Sequence, residues 1–256
     1  MSLHIWTPDA LSSELRSYQG DCWRLVEAQH QVSTLNLVDT LAEQAILEEL
    51  IETTKPSVPS DCHHLDYLLA TPFRYGSVYP NGSRFRRAGM TEGVFYAAET
   101  VETAVAEIVF YRLLFFAESP LTPWPLDASE LTAFSASVAT NKLIDLTVEP
   151  LNEDHRAWTS INTYDACQSL AEATREAGGE IIRYVSVRDP RNGLNLAVLT
   201  CCAFVEPRPK FRQTWRLRLS ASGVQAICEF PRNALEFDRE VFAADPRMTN
   251  FNWERN

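Results

Sequence analysis

The fold is decided by one stretch of the chain, which reads SRFRRAGMTEGVFYAAETVETAVAEIVFYR at residues 83–112. It begins with three closely spaced arginines: Arg84, Arg86 and Arg87. The apolar run at 94–98 then has the β-branched and aromatic character of a buried strand. Thr100 is a candidate N-cap, after which apolar residues recur at helical spacing. The stretch therefore predicts an arginine-rich loop, a buried strand and a helix, in that order.

Two polar side chains interrupt these apolar elements. Tyr96 lies within the predicted strand, and Glu107 lies on the predicted helix between Ala106 and Ile108. A carboxylate among apolar neighbours is costly to bury unless a cation or a hydrogen-bond donor meets it. A tyrosine in a strand is usually a core residue, and such a glutamate more often pairs with a structural arginine than acts in catalysis. The residues alone therefore leave both a structural and a catalytic role open.

An ordered set of four motifs carries a resemblance to a known family. Arg24 follows an aromatic residue in CWRLVEAQ, Arg84 lies in GSRF, Tyr96 lies in FYAA, and Glu107 ends AVAE. In this order the motifs resemble the RES domain family, whose members are toxins of bacterial toxin–antitoxin systems related in fold to ADP-ribosyltransferases. The resemblance extends over residues 22–206. It implies an α+β fold, with a compact, twisted and mainly antiparallel β core and flanking helices.

The resemblance and the sequence pattern together predict a single RES-type domain over residues 1–256. Within it we expect an N-terminal extension at 1–21, a helical insertion at 35–79, and a C-terminal hairpin and tail at 214–256. The insertion is expected because smaller family members place the flanking parts close together, and because residues 35–51 have an amphipathic helical pattern. Its apolar stripe has to be covered, either beside the site or by a second subunit in a homodimer.

The resemblance implies that NAD is the substrate and that no other cofactor takes part. Cleavage of the bond between nicotinamide and ribose passes through an oxocarbenium-like state. By the resemblance, Arg24 and Arg84 hold the pyrophosphate. Tyr96 stacks against the nicotinamide, and Glu107 stabilises the developing positive charge. The expected activity is that of an NAD glycohydrolase or NAD phosphorylase. Two alternatives remain open: an ADP-ribosyltransferase that modifies a protein, and a catalytically silent ligand-binding module.

We expect further substrate-binding residues: Arg74 with its neighbour Tyr75, and also Asp165, Gln168 and Ser186, whose roles the resemblance implies. Arg74 is the alternative to Arg24 as the early family arginine, although the sequence around Arg24 matches the family better. Ser186 ends a predicted strand and would reach the ligand as a hydrogen-bonding group. Asp165 begins a predicted helix, at a position where some family members carry a serine.

The composition narrows the range of partners. A net charge of −11 disfavours nucleic acid as a direct partner, because duplex binding relies on lysine and arginine to neutralise phosphates. Arginines outnumber lysines by 20 to 3, and arginine makes bidentate contacts to phosphate groups. The six cysteines show no framework spacing. The triplet Cys62-His63-His64 lacks a fourth ligand at convincing spacing, so no metal site is predicted.

The sequence has no secretory signal and no apolar run of the roughly 18 residues that a membrane span needs. These features predict a soluble, cytoplasmic protein without a membrane partner. The resemblance adds one protein partner, a cognate Xre-type antitoxin that carries a helix-turn-helix.

Overall fold

The computed structural model describes residues 5–27, 37–76, 82–89 and 92–254. In the described residues the chain forms eight strands: β1 Arg16–Glu27, β2 Phe95–Ala98, β3 Ser129–Asp145, β4 Ile181–Val185, β5 Leu194–Val198, β6 Arg212–Ser220, β7 Gly223–Cys228 and β8 Asn233–Asp238. The same residues form six α-helices: α1 Pro8–Ser13, α2 Leu41–Thr54, α3 Tyr67–Ala70, α4 Val101–Glu118, α5 His155–Trp158 and α6 Asp165–Glu176. This arrangement confirms the predicted α+β class with flanking helices.

The strands form one sheet in the order β1-β2-β5-β4-β3-β6-β7-β8, and β1 additionally pairs with β3. The antiparallel β1–β3 ladder extends from Arg16 opposite Leu143 to Glu27 opposite Leu131. Near its end, β1 also pairs with β2, where Trp23 lies opposite Ala98. Five strands are thereby closed into a ring, from which β6, β7 and β8 extend. Among the described strands, β3 and β4 form the one parallel pair.

Residues 83–112 form the strand and helix that their pattern predicts, as β2 and α4. Thr100 caps α4, since its Oγ1 accepts a hydrogen bond from the backbone N–H of Thr103 at 3.2 Å. The apolar side chains of α4 pack in one core cluster against β6, β7 and β8. Each large apolar side chain that is fully buried contributes roughly 1.5–3 kcal/mol. This packing fixes the helix that carries Glu107.

A second helix, α6, packs on β4 and α1 in a separate apolar cluster. It begins at Asp165, where the sequence predicts a helix start, and Gly178 ends it with a positive φ of 75°. At the other end, Tyr164 occupies the N-cap position, which places its side chain near the arginine-rich loop. The two helices α4 and α6 thus carry side chains from different sequence regions towards the same part of the sheet.

The strand boundaries differ from the sequence pattern in two places. β3 is one strand of 17 residues, where the pattern predicts two, at 131–140 and 142–146. Pairing with β1 continues on both sides of a register shift, with Tyr18 opposite Thr140 and Arg16 opposite Leu143, and this joins the two stretches into one strand. β8 adds a third strand to the predicted C-terminal hairpin by pairing with β7, in a region whose sequence is too polar to predict a strand.

The predicted N-terminal extension at 1–21 needs correction. Strand β1 begins at Arg16 and pairs with β3 from its first residue, so the end of this segment belongs to the sheet. Ahead of it, Thr7 caps α1 and accepts a hydrogen bond from the backbone N–H of Ala10. Leu11 of that helix is fully buried in the cluster around α6.

The predicted insertion at 35–79 divides into two unlike parts. Residues 62–73 carry buried side chains of a core cluster that also contains β2 and β5, so this part belongs to the domain core. Gly93 allows the close approach, because a Cβ there would lie 2.4 Å from the carbonyl oxygen of Pro72. Helix α2 is the part that stands outside this core, and its start at Leu41 is fixed by a capping box between Thr40 and Glu43.

Three large apolar side chains of α2 are exposed, so the described part of the domain does not cover them, and cover by a second subunit stays a prediction. Leu41, Ile46 and Leu50 are 75%, 59% and 58% exposed. The pattern correctly predicts the helix but places its start several residues too early. Within the described residues, no helix is both long enough and apolar enough to cross a membrane.

Candidate active site

A cleft of about 280 Å³ lies where β1, β2, β5 and α4 meet the arginine-rich loop. Its lining includes four charged side chains, Arg24, Arg84, Glu107 and Arg188, and five aromatic ones, Trp23, Tyr96, Tyr111, Tyr164 and Tyr184. All four residues expected to be catalytic, Arg24, Arg84, Tyr96 and Glu107, lie in this lining. The structure therefore brings together side chains that are up to 83 positions apart in the sequence.

Glu107 is held in the cleft by uncharged donors. The hydroxyl of Ser186 and the side-chain amide of Asn195 both donate to its Oε1, each at 2.6 Å. Its second oxygen, Oε2, has no hydrogen-bond partner in the described part of the chain, and the carboxylate forms no ion pair there. Glu107 is therefore not paired with a structural arginine among the described residues, which was the alternative to a catalytic role. The negative charge is fixed in position and remains available to a ligand.

Ser186 orients this carboxylate. Its Oγ accepts hydrogen bonds from the backbone N–H groups of Arg188 and Asp189, at 3.1 and 3.0 Å. With both acceptor positions used, the hydroxyl proton is directed to Glu107. Ser186 is 1% exposed and does not line the cleft. The expectation that Ser186 reaches the ligand is therefore corrected: it contacts the carboxylate that faces the cleft.

Asn195 is a site residue that the sequence did not reveal. It lies on β5, and its backbone pairs with Ala98 of β2 and with Tyr184 of β4. Its amide nitrogen donates to Glu107, while its Oδ1 is buried without a hydrogen-bond partner among the described residues. Nothing in the apolar run around Asn195 predicts its role, because its partner lies 88 positions away.

Tyr96 connects β2 to the arginine-rich loop. Its hydroxyl accepts a hydrogen bond from the backbone N–H of Phe85 at 2.9 Å and lies 2.8 Å from the Oγ of Ser83. Burial raises the pKa of Tyr96, so the hydroxyl stays protonated at neutral pH. The ring therefore lines the cleft in a fixed position, as stacking against a flat ligand requires.

The two expected anchor arginines both line the cleft, and both also have structural contacts. Arg24 donates from Nη1 to the carbonyl oxygen of Tyr96 at 2.7 Å. Arg84 is 8% exposed and donates from Nη1 to the carbonyl of Trp158 at 2.6 Å and from Nη2 to that of Ser160 at 2.8 Å. Its guanidinium also lies 4.8 Å from the ring centre of Tyr164. Arg84 thus ties the loop to the segment before α6 while adding positive charge to the cleft.

A third arginine, Arg188, contributes to the cleft and was not predicted. Its Nη1 donates to Asp245 at 2.7 Å, its Nη2 donates to the carbonyl of Ile161 at 2.8 Å, and its guanidinium lies 3.6 Å from the ring centre of Phe110. Burial would raise the pKa of Asp245, but hydrogen bonds from Arg247 hold that pKa below its ordinary value. Asp245 belongs to the polar tail, in which the sequence indicated no chemistry.

Three of the remaining predicted substrate-binding residues, Arg74, Asp165 and Gln168, lie outside the cleft lining. Arg74 forms an ion pair with Glu52 of α2 at 2.6 Å, so it is not the early arginine of this site. Gln168 donates from Nε2 to the carbonyls of Ser83 and Arg86, at 3.0 and 3.2 Å, and so holds the arginine-rich loop. Asp165 is exposed at the start of α6. The side chain of Tyr75 lies outside the described residues.

The same result bears on the predicted insertion at 35–79, which was expected to lie beside the site or to contact a second subunit. No described residue of that segment lines the cleft. Its ion pair through Arg74 joins its own two parts, namely α2 and the 3₁₀ turn at Thr71–Gly76. The early arginine in the cleft is Arg24, on β1.

Comparison with known proteins places the chain in a family. The family model of the RES domain matches residues 58–220, which include Arg84, Tyr96 and Glu107 but begin after Arg24. No curated protein matches the sequence. Among solved structures, the fold is similar to a chain of the M. tuberculosis MbcT–MbcA toxin–antitoxin complex, with 13% identity, a TM-score of 0.45, and coverage of 81% of this chain and 92% of that one. Because the family model matches well over half of the length of this chain, the chain belongs to the RES domain family.

Proposed function

We propose that this protein cleaves the bond between nicotinamide and ribose in NAD. The observation that carries the proposal is Glu107, a carboxylate held by two uncharged donors at one oxygen and, among the described residues, unpaired at the other. Bond cleavage at the anomeric carbon of the ribose develops positive charge on the ring. A preorganised carboxylate without its own cation stabilises such a charge, and it does so more strongly in a half-buried site than in water.

The rest of the cleft lining is consistent with the remaining parts of NAD. The nicotinamide ring is flat, and the fixed ring of Tyr96 offers a stacking surface. The positive charges of Arg24, Arg84 and Arg188 suit the pyrophosphate. A cleft of about 280 Å³ is at the small end for ligand sites. We therefore expect it to enclose the nicotinamide and its ribose, with the adenosine half outside.

Membership of the RES domain family supports a toxin as the biological role, with a cognate antitoxin of the helix-turn-helix type as its partner. In the M. tuberculosis complex, a toxin is bound to its antitoxin. Expression of the active toxin alone would deplete cellular NAD. The antitoxin, in this proposal, binds the toxin and keeps the activity low.

The acceptor that attacks the ribose determines the reaction class. Water gives ADP-ribose, inorganic phosphate gives its 1″-phosphate, and a protein side chain gives an ADP-ribosylated protein. All three attack the same carbon, so each is compatible with the same carboxylate. The first two make the protein an NAD glycohydrolase or phosphorylase, which is our primary proposal. The third makes it an ADP-ribosyltransferase.

The test is incubation of the purified protein with NAD, with and without phosphate, followed by identification of the products by mass spectrometry. A parallel reaction with labelled NAD and a bacterial lysate detects transfer to protein. The proposal is supported if the wild type consumes NAD and the Glu107→Gln variant does not. Binding of NAD without turnover under all conditions would refute it and would favour the silent binding module.

A further inference from the structure

A second cavity, of about 520 Å³, shares no lining residue with the cleft. Its lining includes Asp61, Cys62 and Cys201. Cys62 ends the 3₁₀ turn at Ser60–Cys62, and Cys201 begins the 3₁₀ turn at Cys201–Ala203 that follows β5. The two turns are in contact, so thiols that are far apart in the sequence meet at one edge of the cavity.

These three side chains have the spacing of metal ligands. The two Sγ atoms and one carboxylate oxygen of Asp61 all lie within 4.8 Å of one another. Zn–S bonds measure roughly 2.3 Å, so two thiolates on one tetrahedral zinc ion lie roughly 3.8 Å apart. Both thiols are 1% exposed, whereas Asp61 is exposed and offers its carboxylate from the solvent side. The donors are therefore already gathered closely enough to close on one ion.

We propose that Asp61, Cys62 and Cys201 bind a thiophilic divalent cation such as Zn²⁺. Two sulfur donors favour zinc and similar ions. They disfavour Mg²⁺ and Ca²⁺, which take oxygen ligands. Three protein ligands leave the fourth tetrahedral position to water from the cavity. Such a site is open and exchangeable. Each thiol gives up its proton when the ion binds, so binding strengthens as the pH rises.

The local sequence motif pointed to different partners for Cys62. The Nε2 of His63 lies 3.0 Å from the carbonyl oxygen of Val58. Neither His63 nor His64 belongs to the ligand group. The second thiol comes from Cys201, which no spacing rule connects to Cys62. The bound ion would fasten the segment before α3 to the turn after β5, and hence to the ring of strands.

A metal-free alternative exists for the same atoms, because two neighbouring thiols also form a disulfide when an oxidant removes two electrons and two protons. The carboxylate favours the metal, since a disulfide makes no use of Asp61. The adjacent Cys202 is exposed and lies outside the ligand group. Because an accessible thiol can bind added metal outside the proposed site, a Cys202→Ser background isolates that site.

The experiment uses the full chain with Cys202→Ser, purified under reducing conditions and stripped of metal. Zn²⁺ binding is measured by calorimetry and by the metal-dependent rise in Tm, and Cd²⁺ binding by the ultraviolet absorption of its thiolate bonds. We expect one ion per chain. Cys201→Ser should abolish the cadmium–thiolate signal of the pair and the rise in Tm, and Asp61→Asn should weaken binding by about tenfold or more.

The matched control is Cys228→Ser. This thiol is also buried and donates to the carbonyl of Phe230, a hydrogen bond that serine can make. The control should bind zinc as the parent does. Asp61 is exposed, so its variant reports on binding even if Cys201→Ser fails to fold. The proposal is overturned if the parent binds no added metal, or if Asp61→Asn and Cys201→Ser bind metal as the parent does. It is also overturned if Cys62 and Cys201 are recovered as a disulfide and the protein still binds no metal once that disulfide has been reduced.

Discussion

Replacing Glu107 with glutamine removes one negative charge and very little else. The amide oxygen of glutamine can accept the hydrogen bonds of Ser186 and Asn195 in place of Oε1. The amide nitrogen then occupies the position of Oε2, which has no partner to lose within the described part of the chain. We therefore expect Glu107→Gln to fold as the wild type does, with nearly the same Tm.

The expected loss of activity follows from the lost charge. A carboxylate about 4 Å from a unit positive charge, at an effective dielectric constant of about 20, stabilises it by about 4 kcal/mol. Each 1.36 kcal/mol added to the barrier slows the reaction about tenfold, so the loss of that charge predicts roughly a thousandfold lower turnover. Binding of NAD should change much less, because the ribose acquires its positive charge only in the transition state.

The assay measures initial rates of NAD loss over a range of NAD concentrations, with thermal unfolding in parallel. Glu118→Gln is the control, because Glu118 is exposed at the end of the same helix and lies outside the cleft lining. It should turn over NAD at the wild-type rate. A folded Glu107→Gln enzyme with turnover within about tenfold of the wild type would refute the role of the charge.

Three further predictions follow from other contacts. Ser186→Ala removes a hydrogen bond to a charged acceptor, which costs roughly 1.5–3 kcal/mol. Steady-state kinetics should therefore show turnover about ten- to a hundredfold lower, with a smaller change in KM, and unchanged turnover would contradict the positioning role of Ser186. Arg84→Ala should lower Tm, because the carbonyls of Trp158 and Ser160 lose their donors, and should raise KM for NAD; a variant with wild-type stability and kinetics would contradict both roles. Expression of the wild type without an antitoxin should arrest bacterial growth and lower cellular NAD, whereas Glu107→Gln should do neither; equal arrest by both would separate toxicity from NAD cleavage.

The site was predictable where one continuous stretch carries the information. Tyr96 and Glu107 lie on a strand and a helix whose periodicities are clear, and both elements form where the pattern places them. Their chemistry was predictable only through the family resemblance, because neither residue type is unusual in a core. Arg24 lies on a separate strand, and the aromatic residue before it made it recognisable.

The groups that support these residues were not predictable, for a physical reason. Arg188 contacts Asp245, 57 positions later, and Asn195 contacts Glu107, 88 positions earlier. A hydrogen bond between two distant side chains leaves no periodic trace in either segment. The exposed apolar stripe of α2 has a related cause: periodicity shows which face of a helix is apolar but not what lies opposite it.

The ring of strands has a consequence for where this protein can be divided. The family match at 58–220 begins after β1, yet β1 joins β2 to β3 and carries Arg24 into the cleft. A fragment limited to the matched residues would leave two long strand edges unpaired, and such edges promote aggregation. The same cut would remove Asp245, which holds Arg188. The smallest autonomous unit that can carry the cleft therefore begins no later than Arg16 and includes the chain beyond β8.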